Sequence, residues 1–441
     1  MTRRELYWAA LAGTLGVRDA VSASASSARD TPLAASSASP LPAGWRADFP
    51  ALDQSIDGQP LVYLDSAATT QRPTQVIDAI VRYYRHDNAN PGGALHALAR
   101  RAFERYEEAR AIVARFIGAR SPQEVVWVRG TTEGVNLVAQ AWARPRLRAG
   151  DEILLTIAEH ASNLLPWQLV AEQTGAALRF ADVDEAGRIA LEDFERKLSS
   201  RTRLAAFSHV SNVAGYVNPA ATLCQLARRA GARVFIDAAQ SAPHVPLDVQ
   251  ALNCDFLAFS AHKMLGPMGV GVLWARSDLL EEMVPYQAGS NMAHDVDVDG
   301  RVLESAARKF GAGTPNVSGP IGLAAAVRYI EALGRSAIER YEESLTRHAL
   351  ARLSEVRGLR LIGPDTPEQR IPVFAFTLAD RSPRDILRAL DARGIAVRAG
   401  DLSALPLLKR FGVTAAARAS CYLYSSRTEI DALAGALSSL A

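Results

Sequence analysis

Two apolar segments of this sequence end in residues that could carry out chemistry, an acid and a lysine. Val234-Phe235-Ile236 stops at Asp237, and the run 256–259 leads into Ser260-Ala261-His262-Lys263. Short apolar runs are typical of strands inside a parallel sheet, whose faces are both covered. Ligands of such sheets bind beyond the carboxyl ends of the strands. A lysine that can form an imine and a carboxylate that keeps a ring nitrogen protonated are what a pyridinium cofactor needs, so this pattern predicts such a site.

The segment Arg129-Gly130-Thr131-Thr132-Glu133 follows another predicted strand, 125–128, and begins a predicted helix. Free N–H groups at a helix N-terminus and two hydroxyls can bind a phosphate, although an ordinary threonine N-cap is the alternative. The sequence contains no Walker lysine and no dinucleotide glycine pattern, so a nucleotide is not indicated.

Three more polar residues lie after or within predicted strands. His160 follows the strand 152–156 and could stack on a flat ring or exchange protons, or it could be structural. Asn212 follows the strand 204–207 and could donate a hydrogen bond into the same cleft. Arg418 lies in an apolar strand, where burial is costly unless an anion meets the guanidinium. Its forked donors suit a substrate carboxylate.

Composition narrows the classes of function. The chain has 441 residues, of which 49% are hydrophobic, and a formal net charge of +2. This charge gives no electrostatic basis for binding nucleic acid, and no apolar run reaches the length of a membrane span. The three cysteines have no metal-ligand spacing, and we expect buried free thiols.

Strands and helical segments alternate from residue 61 to about 275, which predicts an α/β fold with a mostly parallel sheet flanked by helices. From about Ile338 the pattern favours a smaller α+β domain. We predict a large domain at residues 45–331, with 45–60 packing on the small domain, and a small C-terminal domain at 332–441.

Residues 1–44 differ in composition from the rest. Arg3-Arg4 precedes an apolar segment, 6–17, and a Ser/Ala-rich run. This order resembles a twin-arginine export signal, although a disordered N-terminal extension or a start codon assigned too far upstream is also consistent with it. We favour a cytoplasmic location. A functional export signal would instead place the protein in the periplasm.

Taken together, these motifs resemble those of class V aminotransferases, which are fold type I enzymes that use pyridoxal 5′-phosphate (PLP). Within them the chain is similar to the cysteine desulfurases of the sulfur-mobilisation branch, from about Arg46 to the C-terminus. The segments that carry the resemblance are Tyr63-Leu64-Asp65-Ser66-Ala67-Ala68, Val128-Arg129-Gly130-Thr131-Thr132-Glu133-Gly134, the run 248–256 and Ala312-Gly313-Thr314-Pro315-Asn316. The resemblance implies pyridoxal 5′-phosphate as cofactor.

The resemblance also implies roles for individual residues. Lys263 would bind the cofactor and then move a proton, Asp237 would pair with the ring nitrogen, and His160 would stack on the ring. The other expected contacts with the cofactor come from Gln240, Thr131, Thr132, Ser260, His262 and Asn212. The expected contacts with an amino-acid substrate come from Asn212, Arg398 and Arg418. Thr314 would reach the cofactor of a second copy, which implies a homodimer.

The sequence departs from the desulfurase pattern in the loop after Arg398. The family pattern there is Arg-x-Gly-x-x-Cys, whose cysteine accepts the substrate sulfur, and this chain has Ser403 at that position. Serine cannot form a persulfide. Cys224, Cys254 and Cys421 are poor substitutes by position. Gly92-Gly93 also replaces a histidine and an arginine expected near the substrate.

Three hypotheses follow from this departure. The first is a PLP-dependent C–S lyase of the β-elimination type that uses no protein persulfide. The second is a class V aminotransferase or an epimerase that acts on a specialised amino acid. The third is a non-catalytic PLP-fold binding protein, which the retention of Lys263, Asp237, His160 and Arg418 disfavours.

Overall fold

A seven-stranded sheet, called the central sheet below, forms the middle of the computed structural model, which describes residues 44–92 and 95–441. Six of its strands are parallel to one another, and Gly271–Ala275 is antiparallel to both of its neighbours. The spatial order of the strands is Val125–Val128, Gly271–Ala275, Phe256–Ser260, Arg233–Asp237, Thr202–Ser208, Glu152–Thr156 and Ala177–Ala181. The predicted α/β fold with a mostly parallel sheet is confirmed.

Helices cover both faces of the central sheet, as the continuous apolar strands require. Val234 and Ile236 enter one apolar cluster, while Phe235 between them enters the other. The first cluster also contains residues of the helices Thr74–His86, Ala97–Phe116, Ala220–Arg229 and Ser318–Leu333. The second contains residues of the helices Thr131–Val138 and Leu165–Thr174.

A second sheet of four antiparallel strands follows in the C-terminal part of the chain. Its spatial order is Leu359–Ile362, Val373–Leu378, Ala416–Ser420 and Arg398–Gly400. Its apolar cluster includes residues of the helices Arg335–Ser354, Pro383–Asp391 and Arg427–Ser438. The predicted boundary between a large and a small domain near residue 331 stays a prediction.

The first predicted strand, 61–65, does not belong to the central sheet. Only Val62–Tyr63 is a strand, and it pairs in parallel with Ile395–Ala396. Asp65 then forms an isolated bridge with Ser420 of the second sheet. Alternation of strands and helices along the chain is a local signal, so it could not assign this strand to its sheet.

The remaining described elements are shorter. The short α-helices are Arg144–Arg146, Leu191–Lys197, Ser241–His244, Val249–Leu252, Ser277–Glu282 and Leu405–Arg410, and a π-helical segment, Ala139–Ala143, precedes the first of them. Two small hairpins pair Ser55–Ile56 with Gln59–Pro60 and Ala293–Asp297 with Gly300–Leu303.

Apart from Gly44, the predicted N-terminal extension and its export motif lie outside the described residues, as does Gly93. Among the helices of the described part, none has the length and apolar character needed to cross a membrane.

Candidate active site

A cavity of about 350 Å³ opens where the parallel strands of the central sheet end. Almost all the predicted site residues line it, although they come from distant parts of the sequence. Those lining it are Thr131, Thr132, His160, Asn212, Asp237, Gln240, Ser260, His262, Lys263, Arg398, Ser403 and Arg418. Thr314 does not line the cavity. It is exposed, and its hydroxyl accepts a hydrogen bond from Asn90 Nδ2 at 3.2 Å.

Asp237 ends one strand of the central sheet, and Lys263 lies in the 3-10 turn Ala261–Lys263 that follows the neighbouring strand, Phe256–Ser260, as their sequence context predicts. Asp237 ends the strand Arg233–Asp237, is 5% exposed, and accepts a hydrogen bond from Ala239 N at 2.8 Å. Burial raises the pKa of Asp237, while the Ala239 N–H and Lys263 oppose the rise. Burial also lowers the pKa of Lys263 to about 8, with Asp237 opposing and Arg418 adding to the effect. Part of the Lys263 amine is therefore neutral, and so nucleophilic, near neutral pH.

Hydroxyl groups converge at the N-terminus of the helix Thr131–Val138. Ser260 Oγ accepts from Thr131 N at 2.8 Å and lies 2.8 Å from Thr131 Oγ1, while Thr132 Oγ1 donates to Ser162 Oγ at 2.8 Å. The N-cap residue of this helix is Gly130, which has no side chain to cap the first turn. Hydroxyls together with a helix N-terminus suit a phosphate. Sequence reasoning did not assign Ser162, although it follows His160 by only two residues.

Gly271 allows two backbone segments to approach beside this anion site. A Cβ at position 271 would lie 2.6 Å from Gly130 Cα and 2.6 Å from Phe259 O. The glycine therefore lets the strand Gly271–Ala275 pack directly against Gly130, which precedes the helix Thr131–Val138.

His160 is held as a neutral ring. Its Nδ1 accepts from Ser162 N at 3.0 Å, so the neutral imidazole carries its proton on Nε2. Burial lowers the pKa of His160 to about 4, Lys263 and Arg418 lower it further, and Asp401 opposes them. An uncharged ring at the cavity wall is suited to stacking on another flat ring.

Glu159, the neighbour of His160 in the chain, stabilises the turn on this side of the cavity. The sequence analysis did not predict it as a site residue. The side chain is 1% exposed and accepts hydrogen bonds from Thr156 Oγ1 at 2.5 Å, Asn163 Nδ2 at 2.7 Å and Ser208 Oγ at 2.8 Å. Burial raises the pKa of Glu159 to about 7, and the three donors oppose the rise. The carboxyl group thus ties the turn that carries His160 to the end of the strand Thr202–Ser208.

Asp65 joins two arginines of the second sheet at the cavity. Arg398 and Arg418 lie directly opposite each other in the register of their strands. Asp65 accepts from Arg398 Nη2 at 2.9 Å and Nε at 3.2 Å, and from Arg418 Nη2 at 3.4 Å. Arg418 is 3% exposed and also donates to Asn212 O at 3.1 Å. Asp65 supplies the anion that the buried arginine requires, and one net positive charge remains in this cluster of two arginines and one carboxylate.

The loop that contains Ser403 is held in place by several contacts. Leu402 O accepts from Asn212 Nδ2 at 2.9 Å, and Ser403 O accepts from Ala161 N at 2.7 Å. The Leu402 side chain is 6% exposed and belongs to an apolar cluster with Leu407 and Leu408. Leu402 and Ser403 have φ angles of 52° and 53°, an uncommon conformation for residues other than glycine. The surrounding contacts offset this local strain.

The three cysteines of the chain are all buried, and none lines the cavity. Burial raises the pKa of the Cys224 thiol to about 12 and raises the pKa values of Cys254 and Cys421 as well. Each therefore remains a neutral thiol near neutral pH.

The cavity residues fit pyridoxal 5′-phosphate. Gln240 Nε2 donates to Ala67 O at 2.8 Å, whereas Gln240 Oε1 and His262 Nδ1 are buried with no hydrogen-bond partner among the described residues. Both side chains line the cavity, so polar groups of a ligand could satisfy them. An amine, a buried carboxylate, a neutral flat ring and a hydroxyl cluster together match the aldehyde, ring nitrogen, ring face and phosphate of this cofactor.

Comparisons with known proteins agree with this chemistry. Residues 62–433 match the model of the family described as Aminotransferase class-V. A probable cysteine desulfurase of Halalkalibacterium halodurans is 46% identical over 88% of this chain and 95% of its own length. The crystal structure of the cysteine desulfurase CsdA from Escherichia coli has a TM-score of 0.82 and 41% identity, covering 90% of this chain and 97% of that one.

Some relatives are longer. Probable cysteine desulfurase 1 of Mycobacterium leprae is 45% identical over 88% of this chain, which spans only 63% of that protein's length. The predicted cofactor, pyridoxal 5′-phosphate, and the prediction of an enzyme are both confirmed by the family match together with these relatives. The chain belongs to the Aminotransferase class-V family and is a PLP-dependent enzyme similar to cysteine desulfurases.

Proposed function

We propose that this enzyme breaks a C–S bond at Cβ of an α-amino acid by β-elimination and forms no persulfide on the protein. The observation that carries the proposal is the absence of any cysteine from the lining of the described cavity, together with serine at position 403. A serine hydroxyl is far less nucleophilic than a thiolate unless a base activates it. The leaving sulfur must therefore depart as a small molecule.

The arrangement of the cavity supports a role for each residue in holding substrate and cofactor. Arg418 and Asn212 would bind the substrate α-carboxylate, with Asp65 orienting Arg418. Asp237 would hold the proton of the ring nitrogen. The groups expected to hold the phosphate are Thr131, Thr132, Ser162, Ser260 and His262. Bound pyridoxal 5′-phosphate acidifies the Cα proton of an amino acid and accepts the resulting electron pair.

Lys263 is the group best suited to take the Cα proton. Its lowered pKa leaves part of the amine neutral near neutral pH, as a general base requires. Elimination from cysteine then breaks the Cβ–S bond, and sulfur leaves with the bonding electron pair. The three-carbon fragment is hydrolysed by one water, so cysteine and water give sulfide, pyruvate and ammonium.

The anchored loop supports the same proposal. Leu402 is buried in an apolar cluster, and the Ser403 carbonyl is bonded to Ala161. These contacts hold the backbone of position 403 beside the cavity that Ser403 lines. A leaving group that diffuses out needs no movement of this loop.

A homodimer is also proposed, with Thr314 of each copy directed toward the cofactor of the other. Exposed apolar side chains near Thr314 support an interface there. Tyr84 is 58% exposed and its hydroxyl lies 2.9 Å from Ser318 Oγ, and Met268 is 66% exposed. We expect sedimentation velocity to give the mass of two chains. A single-chain mass at micromolar concentration would contradict the proposal.

The covalent link to the cofactor is tested by Lys263→Ala. We expect this variant to lose the visible absorbance band of the lysine-bound cofactor, because no other lysine lines the described cavity. Lys409→Ala is the matched control, since Lys409 is exposed and outside the cavity lining, and it should retain the band. Retention of the band by Lys263→Ala would show that Lys263 does not form the covalent link to the cofactor.

The reaction class is tested by incubating the enzyme with cysteine and with cysteine sulfinate, and measuring sulfide, sulfite, pyruvate and alanine. We expect sulfide and pyruvate from cysteine without any added keto acid, because elimination requires no amino acceptor. Keto acid that forms only when an acceptor keto acid is supplied would identify an aminotransferase instead. Exchange of the Cα proton without product would identify an epimerase.

Restoring the missing thiol is a separate test. Ser403→Cys should gain a protein persulfide on incubation with cysteine, detected by intact mass as one added sulfur atom, because only the acceptor thiol is absent from the loop. Ser354→Cys places a thiol on an exposed helical position and should gain none. If Ser403→Cys also gains none, more than the thiol separates this site from a desulfurase.

A further inference from the structure

Two carboxylates line the described cavity, those of Asp237 and Asp401. Only the Asp401 carboxylate has neither a cationic partner nor a role assigned above. Asp237 faces Lys263, and Asp65, just outside the lining, is shared by Arg398 and Arg418. Asp401 lines the cavity, forms no ion pair among the described residues, and accepts one hydrogen bond, from Ser403 N at 3.0 Å. Its side chain is exposed at the mouth of the cavity.

Asp401 lies at the end of the cavity where the sulfur of a bound substrate is expected. If Arg418 binds the α-carboxylate, the side chain of an amino acid extends toward the loop at position 403, where the family's sulfur-accepting residue lies. The Asp401 carboxylate is bonded to the backbone of that same position. Groups attached to the substrate sulfur would therefore lie beside this carboxylate.

The other charges around the loop leave Asp401 available to a ligand. Arg398 is the nearest arginine in sequence, but Asp65 binds it through two nitrogens. His160 lies close enough for Asp401 to oppose the lowering of its pKa, yet its ring stays neutral because that pKa is about 4. Neither group neutralises the carboxylate, so a ligand cation could do so.

We propose that Asp401 makes the enzyme select S-substituted cysteines whose sulfur-side group carries an ammonium. The inference rests on the proposed elimination reaction and names its class of substrate. With S-(2-aminoethyl)-L-cysteine, the Cα proton passes to Lys263 and the Cβ–S bond breaks. Sulfur leaves with the electron pair as cysteamine, and one water converts the remaining fragment to pyruvate and ammonium.

The test compares three substrates with chains of equal length on sulfur, namely S-(2-aminoethyl)-, S-propyl- and S-carboxymethyl-L-cysteine, by the kcat/KM for pyruvate release. We expect kcat/KM for the ammonium compound to exceed that for the propyl compound by roughly fivefold at low ionic strength, as a partly exposed ion pair allows, and the carboxylate compound to be slowest. Added salt should reduce the difference because it screens exposed charges.

Asp401→Asn keeps an oxygen for the Ser403 N–H and removes the charge. The kcat/KM for the ammonium compound divided by that for the propyl compound should therefore fall to about one. Asp380→Asn, a change of equal charge at an exposed position outside the cavity lining, should keep the wild-type ratio. Equal kcat/KM values in the wild type, or a ratio unchanged in Asp401→Asn, would overturn the role of Asp401.

Failure of the elimination reaction itself would look different, because no pyruvate would form from any of the three compounds. The dissociation constants of the same compounds, measured by the change in cofactor absorbance, then decide about Asp401. Tighter binding of the ammonium compound in the wild type and not in Asp401→Asn supports the selection. Equal binding of all three contradicts it.

Discussion

The burial of Arg418 is the constraint on which the cavity wall depends. A guanidinium with 3% exposure is stable only if an anion and hydrogen bonds replace its water. A second cation, Arg398, lies directly across the strand pair and would repel it. Asp65 relieves both problems, and it is separated from Arg418 by 353 positions in the sequence. The cavity wall that contains both arginines therefore depends on Asp65 lying beside the second sheet, where it forms a bridge with Ser420.

A series of hydrogen bonds extends from this ion cluster into the loop. Arg418 donates to the carbonyl of Asn212, and the amide of Asn212 donates to the carbonyl of Leu402. The residues expected to recognise a substrate carboxylate thus also set the conformation of the loop that lacks the sulfur-accepting cysteine. The expected substrate contacts and the geometry of the loop therefore depend on the same few hydrogen bonds.

Sequence patterns predicted the parts of the site that follow from local structure. Asp237 ends an apolar strand, Lys263 and His160 lie a few residues beyond the ends of two others, and parallel strands bring their carboxyl ends to one edge. Asp65 could not be placed in this way, because membership of a sheet depends on distant pairing. Glu159 was missed for a related reason, since one of its partners, Ser208, comes from a separate strand.

The loop conformation was equally hidden from the sequence. Leu402 and Ser403 adopt positive φ angles, and neither residue type signals such a backbone. Tertiary contacts decide this conformation, so only the three-dimensional structure could reveal it. The serine at position 403, in contrast, is visible in the sequence alone, and it already excludes a persulfide at that position.

The burial of the three cysteines has a consequence for the chemical environments in which the enzyme can work. Oxidants and alkylating agents attack thiolates that they can reach. Each thiol here is buried and its pKa is raised, and the described cavity lining contains none. The described cavity lining thus offers peroxide no cysteine sulfur to oxidise.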